Sequence, residues 1–101
     1  MIDFAAVPQI SDLATYLADG MAPGGTRRNW ASYGEATDCP DETRRAILSD
    51  PQTSGGLLIA VDPAARTEVE AVLRNHGLAL DPQPIGSILP SSGAEACVAV
   101  R

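Results

Sequence analysis

Asp50-Pro51-Gln52-Thr53-Ser54-Gly55-Gly56 runs straight into Leu57-Leu58-Ile59-Ala60-Val61, and this stretch decides the fold class. A loop of turn-forming residues feeds five consecutive apolar ones. A run of that length, bounded by Gly56 and Asp62, reads as a buried central strand. The residues after it read as a helix. Asp62 caps it, Pro63 takes its first position, and Ala65, Val69, Val72 and Leu73 form an apolar stripe before Gly77 ends it.

Upstream of the loop, Cys39-Pro40-Asp41-Glu42 predicts a short helix that ends near Leu48, with Pro at N1 and acids in the first turn. Before it, Pro23-Gly24-Gly25 excludes regular structure. Ile10, Leu13, Ala14 and Leu17 recur at helical spacing, which predicts a helix from Pro8 that stops at Gly20. Residues 2–7 read as a short strand. Beyond Gly77, residues 78–80 read as a short extended piece. Residues 84–89 and 95–100 read as two strands, joined through Pro90-Ser91-Ser92-Gly93 as an antiparallel hairpin. Helices alternate with strands and a β-hairpin closes the chain. The expected class is therefore α/β (α+β) with a mixed sheet, residues 1–101 forming one domain.

The 101 residues suffice for one small domain, and a hydrophobic share of 45% argues for a folded chain. With only four aromatic residues, Phe4, Tyr16, Trp30 and Tyr33, the core is expected to be Leu, Ile, Val and Ala. The formal net charge is −6 and all seven basic residues are Arg. An acidic chain without a basic run is a poor partner for nucleic acid or for an anionic membrane surface. The absence of Lys removes the side chain that many phosphoryl-transfer sites place on phosphates. No apolar run nears the ~20 residues that span a membrane, and no signal peptide is visible, so a soluble cytoplasmic protein is expected. Cys39 and Cys97 stand in no metal-binding spacing and read as reduced thiols.

Two Gly-rich stretches carry the candidate chemistry. Gly24, Gly25, Thr26, Arg28 and Asn29 form one; Asp50, Gln52, Thr53, Ser54, Gly55 and Gly56 form the other. Each can offer backbone N–H groups and side-chain donors to an anion such as phosphate. Double glycines serve tight turns and close packing equally well, and both readings stay open. Asp50 before Pro51 can start a turn or hold a metal. His76 suits a helix C-terminus, Arg44 and Arg45 a solvated helix face, and Trp30 a packing anchor. Neither stretch has the P-loop or GxGxxG spacing, and no nucleophile with a partnering base is apparent.

The segment from Ser49 to Leu58 closely resembles the DPQTSGGLL signature of the selenophosphate synthetases (selenide, water dikinases). The segment from Pro23 to Gly34 resembles that family's PGGTxRNxxSYG stretch. The two occur in family order, and the resemblance runs from about Asp3 to Arg101. It implies the C-terminal segment of an enzyme that makes selenophosphate from selenide, ATP and water, releasing AMP and phosphate with Mg²⁺. It also implies a partial three-layer α/β/α domain, ferredoxin-like in part. The family's catalytic Cys or Sec, its Lys and most of its metal-binding aspartates belong to an N-terminal half with no counterpart here. That half is the implied partner, homodimer formation is a further possibility, and no catalytic or metal-ligating residue is carried over to this chain. The resemblance instead places the Gly-rich stretches on one wall of a cleft, so the isolated chain is expected to be inactive. Two other readings are a self-associating module without activity and a thiamine monophosphate kinase-like member of the same superfamily.

Overall fold

A computed structural model describes residues 1–78, 83–90, 93 and 97–101. The order of elements is α1 (Leu13–Ala18), α2 (Gly24–Tyr33), β1 (Thr37–Asp38), α3 (Glu42–Leu48), α4 (Arg66–Asn75) and β2 (Val98–Ala99), with short 3₁₀ turns at Phe4–Ala6, Gly34–Ala36 and Pro63–Ala65. The fold is mixed α/β, as the alternating pattern predicts, and its sheet is not closed. Two compact units are present. One comprises Met1–Ser54 with Ile85–Arg101, the other Gly55–Pro84.

The sheet of the first unit is built from segments far apart in sequence. β1 and β2 run parallel, with Thr37 opposite Val98 and Asp38 opposite Ala99. Ile2 bridges Val100 in parallel and Gly86 antiparallel, so the first residues lie between 97–101 and 85–87. Backbone bonds fix this register: Ile2 N–H to the Ala99 carbonyl at 2.7 Å, Arg101 N–H to that of Ile2 at 2.9 Å, and Asp3 N–H to that of Ile85 at 2.9 Å. The expected hairpin is therefore not what joins these segments. Among the described residues Ile2 pairs on both sides and separates them. The predicted strand at 2–7 is also shorter. It turns at Asp3, whose carboxylate accepts from the Ala5 N–H and starts the 3₁₀ turn. Residues 79–80 of the predicted extended piece, 91–92 of the predicted link and 95–96 of the last predicted strand lie outside the described residues.

Local signals place the helix ends well. Gly20 and Gly77 adopt positive φ, 77° and 65°, just past α1 and α4. At each end the residue after the glycine reaches back five positions, Met21 N–H to the Tyr16 carbonyl and Leu78 N–H to that of Leu73. This pattern satisfies helix-terminal carbonyls, and glycine supplies its left-handed residue without a Cβ penalty. Asp62 accepts from the Ala64 N–H at 2.8 Å with Pro63 behind it, as expected of a helix start. His76 is the C-cap of α4.

Four expectations are corrected. The helix predicted from Pro8 begins only at Leu13, because Asp12 takes the left-handed conformation at φ 62°. The α3 start lies at Asp41, which caps the Arg44 N–H at 2.8 Å, so Pro40 precedes the helix instead of opening it. Pro23-Gly24-Gly25 does not exclude regular structure. Pro23 is the N-cap of α2, and both glycines occupy its first turn, where the N–H groups lack intrahelical partners anyway. The apolar run at 57–61 is not a strand. It makes no backbone hydrogen bond among the described residues, and Leu57 and Leu58 are exposed. Apolar periodicity registers a preference for burial; it does not supply a neighbouring strand.

The core follows from this. The buried apolar residues among those described are Cys39 and Val100, each 3% exposed. The expected Leu, Ile, Val and Ala core is thus reduced to a thin seam around the sheet. Arg44 and Arg45, expected on a solvated face, are half-buried. The Arg44 guanidinium stacks over Phe4 at 4.9 Å and that of Arg45 over Trp30 at 5.0 Å. Arg45 also donates to the carbonyls of Cys39 and Pro40. Planar guanidinium groups cover aromatic faces while keeping their donors engaged, and here they replace part of the missing aliphatic packing.

Candidate functional site

The first unit brings the first Gly-rich stretch against residues 49–54, the opening part of the second. α2 starts at Gly24, and its Gly25 lies against Pro51. A Cβ built on Gly25 would stand 2.6 Å from Pro51 Cγ and 3.0 Å from Pro51 Cβ. One turn further along the same face, Asn29 Nδ2 donates to the Ser49 carbonyl at 2.9 Å. Residues four apart on a helix share a face, so Gly25 and Asn29 grip the segment on both sides of Asp50. Within that segment the Asp50 N–H reaches the Ile47 carbonyl at 3.3 Å and the Gln52 N–H reaches that of Asp50 at 3.0 Å. Asp50 turns the chain through its backbone, and its carboxylate bonds nothing among the described residues.

The remaining site candidates divide by exposure. Thr26 is 7% exposed, and its hydroxyl has no hydrogen-bond partner among the described residues. It lines a shallow groove between α2 and α3 with Arg27, Trp30, Glu42 and Arg45. Arg28 is exposed and lends its carbonyl to the Ser32 hydroxyl at 2.9 Å. Asp50, Gln52, Thr53 and Ser54 are exposed as well. Gly24 has no atom within 4 Å of where a Cβ would stand. Gly55 and Gly56 belong to the second unit, and a Cβ on Gly56 would also meet open space. Close packing thus explains Gly25 but not Gly24 or Gly56. Sequence reasoning missed Pro51 and Ser49 as the partners of the first stretch, because the joining contacts span about two dozen residues.

Comparison with known proteins bears on this pair of stretches. No family model matches the chain. A selenide, water dikinase of Cronobacter sakazakii is 44% identical over 98 residues, 97% of this chain and 28% of that protein. One from Photobacterium profundum is 46% identical over 94 residues, 91% of this chain and 27% of that protein. One from Escherichia coli is 42% identical over 100 residues, 99% of this chain and 28% of that protein. This chain matches the C-terminal segment of the selenide, water dikinases. It spans little more than a quarter of the length of these curated relatives.

In this chain α2 and the turn after α3 form one bracket. Its inner side is tied by Gly25, Asn29, Ser49 and Pro51; its exposed polar side chains are those of Arg28, Asp50, Gln52, Thr53 and Ser54. Among the described residues no group of three or more His, Cys, Asp or Glu side chains is placed to hold a metal ion. Cys39 is buried and Cys97 exposed, both as free thiols. Among the described residues no helix is long and apolar enough to cross a membrane.

Proposed function

We propose that this chain acts as the C-terminal segment of a selenide, water dikinase and contributes one wall of its active-site cleft. The reaction is formation of selenophosphate from selenide, ATP and water, with release of AMP and phosphate. The carrying observation is 44% identity over nearly the whole chain to a protein of that name, with both signature stretches in contact in three dimensions. In this reading the exposed Arg28, Asp50, Gln52, Thr53 and Ser54 line the wall, and the buried members of the two stretches hold it in shape. In this reading Mg²⁺ and ATP belong to the rest of the enzyme, and no step is routed through them. The same proposal covers a cytoplasmic location and the three-layer architecture of the complete domain.

A chimera tests it. The matched 100 residues of the Escherichia coli enzyme are replaced by this chain, and selenide-dependent AMP formation is measured. The chimera is expected to turn over, while the 101-residue chain alone is expected to form no AMP. A folded chimera without AMP formation, beside an active parent, would remove the dikinase reading.

A second reading is favoured by a separate observation. Leu57 and Leu58, 87% and 78% exposed, belong to an apolar run whose backbone is unpaired among the described residues. Unpaired apolar edges recruit another strand. The isolated chain is therefore expected to self-associate as its concentration rises. Light scattering over a concentration series reads this directly, and a constant monomer mass would count against it.

A further inference from the structure

The turn after α3 is held at two points, both by α2, yet its own polar side chains do nothing for the fold. Those of Asp50, Gln52, Thr53 and Ser54 are exposed and make no hydrogen bond or ion pair among the described residues. Asn29 is half-buried, and one of its two amide N–H donors is used by the Ser49 carbonyl. Gly25 gives up its Cβ space to Pro51. Two residues of one signature stretch are thus occupied in locating the other.

We propose that Asn29 and Gly25 are positioning residues of the dikinase reaction: they set the place of the turn at 49–52, whose free side chains then meet the substrates. This rests on the dikinase reading above. Asn29 supplies the direction, because one N–H···O bond fixes the Ser49 carbonyl, and Gly25 supplies the distance, because only hydrogen fits beneath Pro51. Small displacements of groups that orient reactants cost far more in rate than in stability, which gives such a bracket its use.

The test has two arms that fail separately. In the 101-residue chain, hydrogen exchange is followed at the Asp50 and Gln52 amides. Asn29→Asp, which keeps the shape and loses the donor, is expected to speed exchange there about tenfold, as for one hydrogen bond lost. The amides of α4 are expected to stay unchanged. Asn29→Gln keeps the donor on a longer arm and is expected to recover part of the protection. Unchanged exchange in Asn29→Asp, or a Gln variant as impaired as the Asp one, overturns the role of the donor whatever the activity. In the chimera, Asn29→Asp is expected to raise the KM for ATP or for selenide about tenfold. A smaller folded fraction lowers the apparent kcat but cannot move KM. Faster exchange with both KM values unchanged would make Asn29 a structural residue only and overturn its part in the reaction. An inactive unsubstituted chimera would instead count against the dikinase reading, and the exchange arm would still decide whether Asn29 sets the turn.

Discussion

Gly86→Val is expected to destabilise the chain by about 3 kcal/mol, the largest effect of any single substitution proposed for it. Gly86 bridges Ile2 antiparallel, and a Cβ at Gly86 would fall inside the contact distance of the Met1 carbonyl oxygen and 3.1 Å from Ile2 Cα. Both obstacles are backbone, so no rotamer change relieves them. Either 85–87 or the first residues must move. Movement breaks the bond from the Ser87 N–H to the Met1 carbonyl at 2.9 Å and the one from the Asp3 N–H to the Ile85 carbonyl at 2.9 Å. Overpacking of this kind costs ~1–3 kcal/mol, and each backbone bond lost adds ~1 kcal/mol. A domain of this size has roughly 5–15 kcal/mol in total, and a seam with two buried apolar residues among those described belongs at the low end. A loss of about 3 kcal/mol lowers the melting temperature by on the order of 12–24 °C. Thermal melting by circular dichroism reads it, and a variant that melts with the parent would show that the two segments do not pair as described.

Gly25→Val is expected to cost about 2 kcal/mol and to shift the Asp50 turn. Here two effects oppose each other. Replacing a helical glycine gains up to ~1 kcal/mol from propensity, less in a first turn and less for a β-branched residue. The clash with Pro51 costs ~1–3 kcal/mol, because the pyrrolidine ring has no rotamer to yield. The clash wins. Gly25→Ala makes the balance visible, since it gains more propensity than the β-branched Val and meets the same first Cβ contact at 2.6 Å; its net loss is expected to be about 1 kcal/mol. Urea unfolding of both variants against Gly24→Ala is the measurement. Gly24 has open space at its Cβ position, so Gly24→Ala is expected to be neutral or slightly stabilising. A Gly25→Ala variant as stable as Gly24→Ala would mean that Pro51 does not sit on the helix.

What the sequence made legible was what neighbouring residues determine. Gly20 and Gly77 stop helices where expected, and Asp62-Pro63 starts one, because each acts within one turn of itself. The family resemblance was legible from the two stretches, and the comparison with the dikinases bears it out over nearly the whole chain. What sequence reasoning missed depends on partners. Leu57–Leu58 satisfied the pattern of an interior strand, but burial needs a second strand, and no residue near 57 in sequence announces which one. Pro23-Gly24-Gly25 has the composition of a loop, and only the place of its glycines in a first turn lets a helix start there. The pairing of Ile2 with both Gly86 and Val100 was invisible for the same reason, and with it the position of the seam. In the site, Gly25 and Asn29 were legible as candidates but not by role. Their occupation by Pro51 and Ser49 appears only when residues about two dozen apart are brought side by side.

The placement of Ile2 between Val100 and Gly86 also sets a timetable. A contact between residues 2 and 100 closes a loop of nearly the whole chain, for an entropy cost of about 4 kcal/mol from loop length alone. Local helices can form and dissolve within microseconds, but the sheet cannot nucleate from them. On a ribosome that adds residues at roughly 5–20 per second, the first segment waits several seconds for its partner. During that wait residues 1–4 are an unpaired edge, open to wrong strands. The step that commits this chain to its fold is the arrival of residues 97–101, and the risk of mispairing falls in the interval before it.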